Sequence, residues 1–351
     1  MKTQTHLIIG LALFFSFSLL MHSKVYSQKS DALEYMENID GQFKSITVDT
    51  WDYVSAASHG KSASKVENRR KDLLKTISAA IKTISKLPDF EGDASFRDTV
   101  ISFLNLRYNV LNKDFAKIVD MEEIAEQSYD LMEAYLLAQE RADEKLEAAD
   151  DNLVAEQKVF AGLHGITLLE NNDKISKKLE SSGKVYKYYN VIYLIFFKSN
   201  KQESYLMEAI TKGDINGMEQ NKNALLTCST KGLETLDTIK SYKGDQSLLS
   251  TCKSCLNFYK TEAATEVQDV INYQVSKENF EKLKKAFDAK TGSSRTKADV
   301  DEYNKAVADL NKMVAKSNST NEDLNKKRST AIDNWNKTVA VFLDKQVPKY
   351  K

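Results

Sequence analysis

Three observations predict an all-α fold for this chain. Helix breakers are scarce, with two prolines and 12 glycines in 351 residues, while the leucine, lysine, glutamate and alanine that dominate the composition favour helix. Apolar residues recur at three- and four-residue intervals over long stretches, the spacing that lines one face of a helix. The third observation is internal repetition: GDASFRDTVISFLNL (92–106) lies without a gap on GDQSLLSTCKSCLNF (244–258), a constant shift of 152 residues. In that register residues 66–105 keep 11 of 40 positions, among them Glu67/Glu219, Leu73/Leu225, Gly92/Gly244, Asp93/Asp245, Ser95/Ser247 and Leu104/Leu256. The expectation is a tandem duplication of an antiparallel up-down helical bundle, with about four helices per repeat. The expected domains are a signal peptide (1–27), a first bundle (28–175) and a second (176–351).

Residues 1–27 read as a targeting segment. Lys2 gives a basic start, LIIGLALFFSFSLLM (7–21) is too short and wrongly flanked for a settled membrane span, and Val25-Tyr26-Ser27 suits a signal-peptidase site before Gln28. No cysteine stands there to carry a lipid, and no second long apolar run follows. The expected product is exported, periplasmic or at the cell surface, with no transmembrane span after cleavage.

The mature chain reads as helices in series. The first, about 31–58, carries Leu33, Met36, Ile39, Phe43, Ile46 and Thr50 on one stripe and ends at the SHGKSAS loop. The second, about 65–87, carries Leu73, Leu74, Ile77, Ile81 and Ile84 and stops at Pro88 and Gly92. In the third, from Asp93 to about Val119, Phe96, Val100, Phe103 and Leu104 face inward. Gly92 lets the chain turn with positive φ and Asp93 accepts amide hydrogen bonds at the positive helix end. A fourth helix runs from about Asp120 to the region of Phe160 and includes the charged, solvated ERADEKLEAADD stretch.

Helix five, about 184–211, contains VIYLIFF (191–197) and is predicted to be central and buried. Helices six (about 214–241) and seven (about 246–273) are the counterparts of two and three. Helix eight keeps the shift through Leu131/Leu283 and Ala134/Ala286 until TGSSRT (291–296) interrupts it. Two last helices, about 297–316 and 321–346, are separated by SNST.

Charge is balanced, 50 basic against 50 acidic residues, which argues against nucleic acid as a partner, since such binders show a basic excess. The mature chain keeps two histidines, His59 and His164. Neither lies in an E-x-x-H motif, so a ferritin-like di-iron bundle is excluded. Glu122, Glu123 and Glu126 begin a helix, where negative charge is stabilising in any case. No catalytic, metal-binding or cofactor-binding residue is assigned, and no cofactor is expected.

The three cysteines, Cys228, Cys252 and Cys255, all lie in the second copy. In an exported protein a disulfide is expected. If helices six and seven fold back around Lys243, Cys228 and Cys255 lie at similar heights, so this pair is predicted, with Cys252 as the competing partner. The C-x-x-C spacing lacks the strand-to-helix context that thioredoxin-type chemistry needs. Tyr186, Tyr189 and Tyr193 fall at i, i+3 and i+7 on helix five. They read either as interhelical packing or as a surface for a partner, because the ring is apolar and its hydroxyl polar.

The run FAGLHGITLLE resembles the G-x-H-x-x-E motif of imelysin-like proteins in Gly162 and His164, with Thr167 at the glutamate position. That resemblance implies a small-ligand or metal-binding helical protein, the alternative function. The signal peptide, length and helical texture together resemble exported all-helical bacterial surface proteins. The reading favoured is an exported cell-envelope protein that serves as a non-enzymatic protein-binding or structural module, its partner an envelope or extracellular protein. A cluster of buried acids around His59 or His164 would favour the alternative. A third reading is a carrier of a small apolar ligand, with a closed apolar cavity near helix five.

Overall fold

The computed structural model describes residues 22–23, 31–114, 128–169, 173–290, 292 and 294–349. The cleavage site at Val25-Tyr26-Ser27, the apolar run 7–21 and the carboxylates Glu122, Glu123 and Glu126 lie outside these residues. The fold is an all-α helical bundle. Among the described residues it has nine α-helices: α1 Asp31–Ser58, α2 Ala63–Ile84, α3 Ser95–Asn109, α4 Tyr129–Leu163, α5 Lys174–Lys212, α6 Ile215–Thr238, α7 Ser247–Thr261, α8 Val267–Asp288 and α9 Lys297–Gln346. A two-residue strand pair, β1 His22–Ser23 with β2 Leu168–Leu169, is antiparallel. No described helix is long and apolar enough to cross a membrane.

Helix starts follow cap chemistry. Ser62, Ser128 and Asp214 accept the amides of Lys65, Leu131 and Gly217 at 3.4, 3.2 and 3.0 Å, which satisfies donors that a helix leaves unpaired at its first turn. At residues 90–93 the chain makes a two-residue turn: Glu91 and Gly92 both have positive φ, 52° and 85°, and Phe90 and Asp93 exchange both backbone hydrogen bonds at 2.9 Å. Two left-handed residues in succession define a type I′ turn. Asp93 then accepts the Ser95 amide at 2.8 Å, and this bond, with one from the Ser95 hydroxyl, holds its carboxyl below the usual range.

The same geometry recurs 152 residues later. Lys243 and Gly244 have φ of 49° and 83°, the Asp245 amide donates to Tyr242 O at 2.9 Å, and Asp245 accepts the Ser247 amide at 3.0 Å. The helices that follow, α3 and α7, each span 15 residues, and each passes directly into a five-residue π-helical segment, Val110–Asp114 and Glu262–Glu266.

Two expected breaks are absent. The SNST stretch lies inside the 50-residue helix α9: serine, asparagine and threonine each cost a helix only a few tenths of a kcal/mol (about 0.5), and Ser317 is buried. The chain also stays helical from Ser247 to Asp288 through the second π segment, so expected helices seven and eight are one path.

The chain divides into two compact units. Unit 1 comprises residues 1–190 and 340–351; α1 packs on α2, α2 on α3, and α3 on α4. Its core holds Met36, Ile39, Ile46, Leu73, Ile77 and Leu104, positions on the stripes that helical spacing picks out. Unit 2 is the continuous segment 191–339, with α6 against α7. Its core includes Ile192, Leu225, Leu248 and Leu256, with Trp335 stacked on Phe196 at a centroid distance of 4.2 Å.

Candidate functional site

The residues singled out in the sequence resolve into packing. Tyr186, Tyr189 and Tyr193 are each no more than 2% exposed, so they form no partner surface; the Tyr186 hydroxyl instead meets Ser58 Oγ at 2.8 Å inside unit 1. Helical spacing fixes which residues share a face, but not what covers that face. Trp51 and Trp335 are buried. In VIYLIFF, Ile192, Tyr193, Phe196 and Phe197 are buried while Val191 is half exposed.

The predicted Cys228–Cys255 disulfide is not formed, and all three thiols are free. Cys228 faces α5, with Sγ 3.6 Å from Ser199 Oγ, whereas Cys255 faces α9, its Sγ donating to Ala331 O at 3.4 Å. Cys252 points toward Ile192 O at 3.9 Å. Similar height along two helices is insufficient when the Cβ vectors diverge. Burial pushes the Cys255 thiol up to about 12 and raises Cys228 and Cys252 as well, which withholds the thiolate that exchange chemistry needs.

Neither histidine gathers acids. His59 Nδ1 lies 2.9 Å from Asp344 and Nε2 lies 3.0 Å from Pro348 O, which ties the loop after α1 to the end of the chain within unit 1. His164 sits edge-on to Phe90 at 4.9 Å and tilted on Phe160 at 4.6 Å, with exposed Glu91 4.0 Å away. Among the described residues no three His, Cys, Asp or Glu side chains are placed to hold a metal ion.

Charge is nonetheless buried in both units. In unit 1 the guanidinium of Arg107 donates to Thr50 Oγ1 at 2.6 Å and is lowered to about 9 by burial, against the pull of Asp150. In unit 2, Arg328 on α9 joins two carboxylates from different elements. Its Nε donates to Glu203 on α5, and Nη2 donates to Glu262 at 2.5 Å. The second carboxylate oxygen of Glu262, Oε2, is buried and accepts no hydrogen bond among the described residues. Burial, with Glu203 nearby, raises the Glu262 carboxyl to about 7. Glu262 opens the π segment and is fully buried there.

In unit 2 a groove of about 640 Å³ runs between α7 and α9. It is lined by Cys255, Phe258 and Ala331, by the hydroxyl-bearing Thr251, Ser254 and Thr330, and by Asn334. Three lysines border it. Lys327 is held by Asp323 and Glu266, each at 2.7 Å, but Lys326 and Lys337 make no ion pair among the described residues. They are separated by 11 residues, close to three full turns, so both lie on one face of α9. The sequence carries that signal in its polar stripe Asp323, Lys327, Thr330, Asn334 and Lys337, which is indistinguishable from a solvated face until α7 is placed opposite. The groove is open to solvent and bordered by three lysines, unlike the closed apolar cavity that a lipid-like carrier would require.

Compared with known proteins, the chain matches no protein family, no curated protein and no solved structure.

Proposed function

We propose that this protein is an exported, non-enzymatic binding module of the cell envelope, built by duplication of a helical unit, and that it holds a partner protein in the groove between α7 and α9. The observation that carries this reading is the groove itself: an open trough bordered by Lys326 and Lys337, which make no ion pair among the described residues. Exposed cations aligned along a concavity supply orientation and on-rate to a partner that brings the opposite charge. Duplication is supported by the recurrence, at the 152-residue shift, of the type I′ turn, the 15-residue helix and the π segment. Export to the periplasm or surface rests on the character of residues 1–27.

Chemical cross-linking in the protein's own cells, followed by mass spectrometry of the mature chain, tests the reading. The expected result is a recurrent partner protein linked through Lys326 or Lys337. Links confined to other lysines, or a partner-free chain carrying a stoichiometric metal or small molecule, would contradict it.

A further inference from the structure

We infer that the groove between α7 and α9 selects an acidic, extended segment of its partner, with carboxylates about four residues apart on one side of the extended chain. This rests on the reading of the groove as a partner site and adds the chemistry of what enters it. Lys326 and Lys337 stand roughly 16 Å apart along α9, since a helix rises about 1.5 Å per residue. An extended chain rises about 3.3 Å per residue and turns alternate side chains to opposite sides, so two carboxylates four positions apart face the same way about 13 Å apart, a distance that the long lysine side chains bridge.

The charge already inside the groove sharpens the choice. Asp323 and Glu266 are both engaged by Lys327, so the rim offers two uncommitted cations and no uncommitted carboxylate among its lining residues. The lining also presents the Asn334 amide, which can both donate and accept, and the Thr330 and Ser254 hydroxyls, whose protons go to Lys326 O and Ser250 O but whose oxygens can still accept from the amides of an extended backbone. Phe258 is the sole aromatic lining residue and is only half-exposed, so the groove lacks the open ring faces on which sugars stack, which favours a peptide over an anionic glycan.

The test uses the full mature chain and a labelled glycine–serine peptide carrying two glutamates four residues apart, read by fluorescence anisotropy at low and high salt. The same peptide with glutamines and an unlabelled heparin oligosaccharide are the comparisons. The glutamate peptide is expected to bind about tenfold tighter than the glutamine peptide, and to weaken as salt rises. Lys326→Gln and Lys337→Gln are each expected to weaken it about threefold, as for exposed ion pairs, while Lys305→Gln, an exposed lysine elsewhere on α9, leaves it unchanged. All three side chains are exposed, so circular dichroism should be unaltered.

Equal binding of the two peptides, both weakened by the groove variants, would overturn the acidic class and leave the groove as the partner site. Binding of heparin with the same lysine dependence and of neither peptide would replace the peptide with an anionic glycan. Absence of binding by every probe, with native cross-links lying away from Lys326 and Lys337, would remove the partner-site reading as well.

Discussion

Glu262 shows how one residue can set the chemistry of a core. Its carboxylate sits against Arg328 with Glu203 on the other side, so two acids share one guanidinium inside unit 2. Removing the arginine would leave both acids buried without a counter-charge. Arg328→Met is therefore expected to lose about 3–5 kcal/mol of stability, measured by urea denaturation, whereas Lys326→Gln, two residues earlier and exposed, should change it little. The raised Glu262 carboxyl gives a pH dependence of definite sign. Folded Glu262 titrates near 7 against an ordinary value of 4.5, so between those values the folded state holds a proton that the unfolded state has released. Its contribution is fully present below about 4.5 and is lost as pH rises through 7, at most about 1.4 kcal/mol per pH unit. Asp40 in unit 1, raised by burial to about 7, adds a slope of the same sign. Glu262→Gln should flatten the wild-type decline between pH 5 and about 7.5; an unchanged slope would show that Glu262 is already ionised in the fold. The free thiols are equally testable: alkylation of the unreduced, denatured protein should add three labels by intact mass, and a single label would indicate a disulfide.

At the scale of elements, the two type I′ turns are the most demanding backbone features. Nothing lies within 4 Å of a Cβ built at Gly92 or Gly244, and both have φ near +84° (85° and 83°). An alanine there meets no neighbour and costs only the left-handed backbone conformation, about 1–2 kcal/mol. Gly92→Ala and Gly244→Ala are expected to lose similar stability in chemical denaturation; a loss at one turn alone would contradict their equivalence. Helix existence was legible in the sequence because burying one stripe is a local, periodic requirement: Met36, Ile39, Phe43 and Ile46 announce α1. The turns were legible because glycine and aspartate have conformational roles that few other residues fill. What stayed hidden was set by neighbours. SNST looks like a loop by composition, yet α9 carries it without a break, and the cysteine pairing failed because height along a helix says nothing about azimuth.

At the scale of the whole molecule, the interiors of the two units differ more than their turns do. Arg107 of unit 1 corresponds, at the 152-residue shift, to Tyr259, and Glu262 corresponds to Val110, so the buried charges arose at unrelated positions of a shared helical pattern. The correspondence at the 152-residue shift is visible at the turns, where backbone geometry constrains the sequence, and is lost where each unit packs its own polar groups. The groove was the least legible feature. Its residues come from α7 and α9, more than seventy positions apart from Ser254 to Lys326, and a lysine, threonine and asparagine stripe reads as solvated surface until a second helix makes it a wall.

The most direct measurement of the partner-binding role is lysine acetylation footprinting of the protein in intact cells against the purified chain. Lys326 and Lys337 are predicted to react several-fold more slowly in cells, while exposed lysines outside the groove such as Lys305 react alike in both. Equal reactivity of Lys326 and Lys337 in the two settings would mean that nothing occupies the groove where the protein works, and would contradict the proposed function.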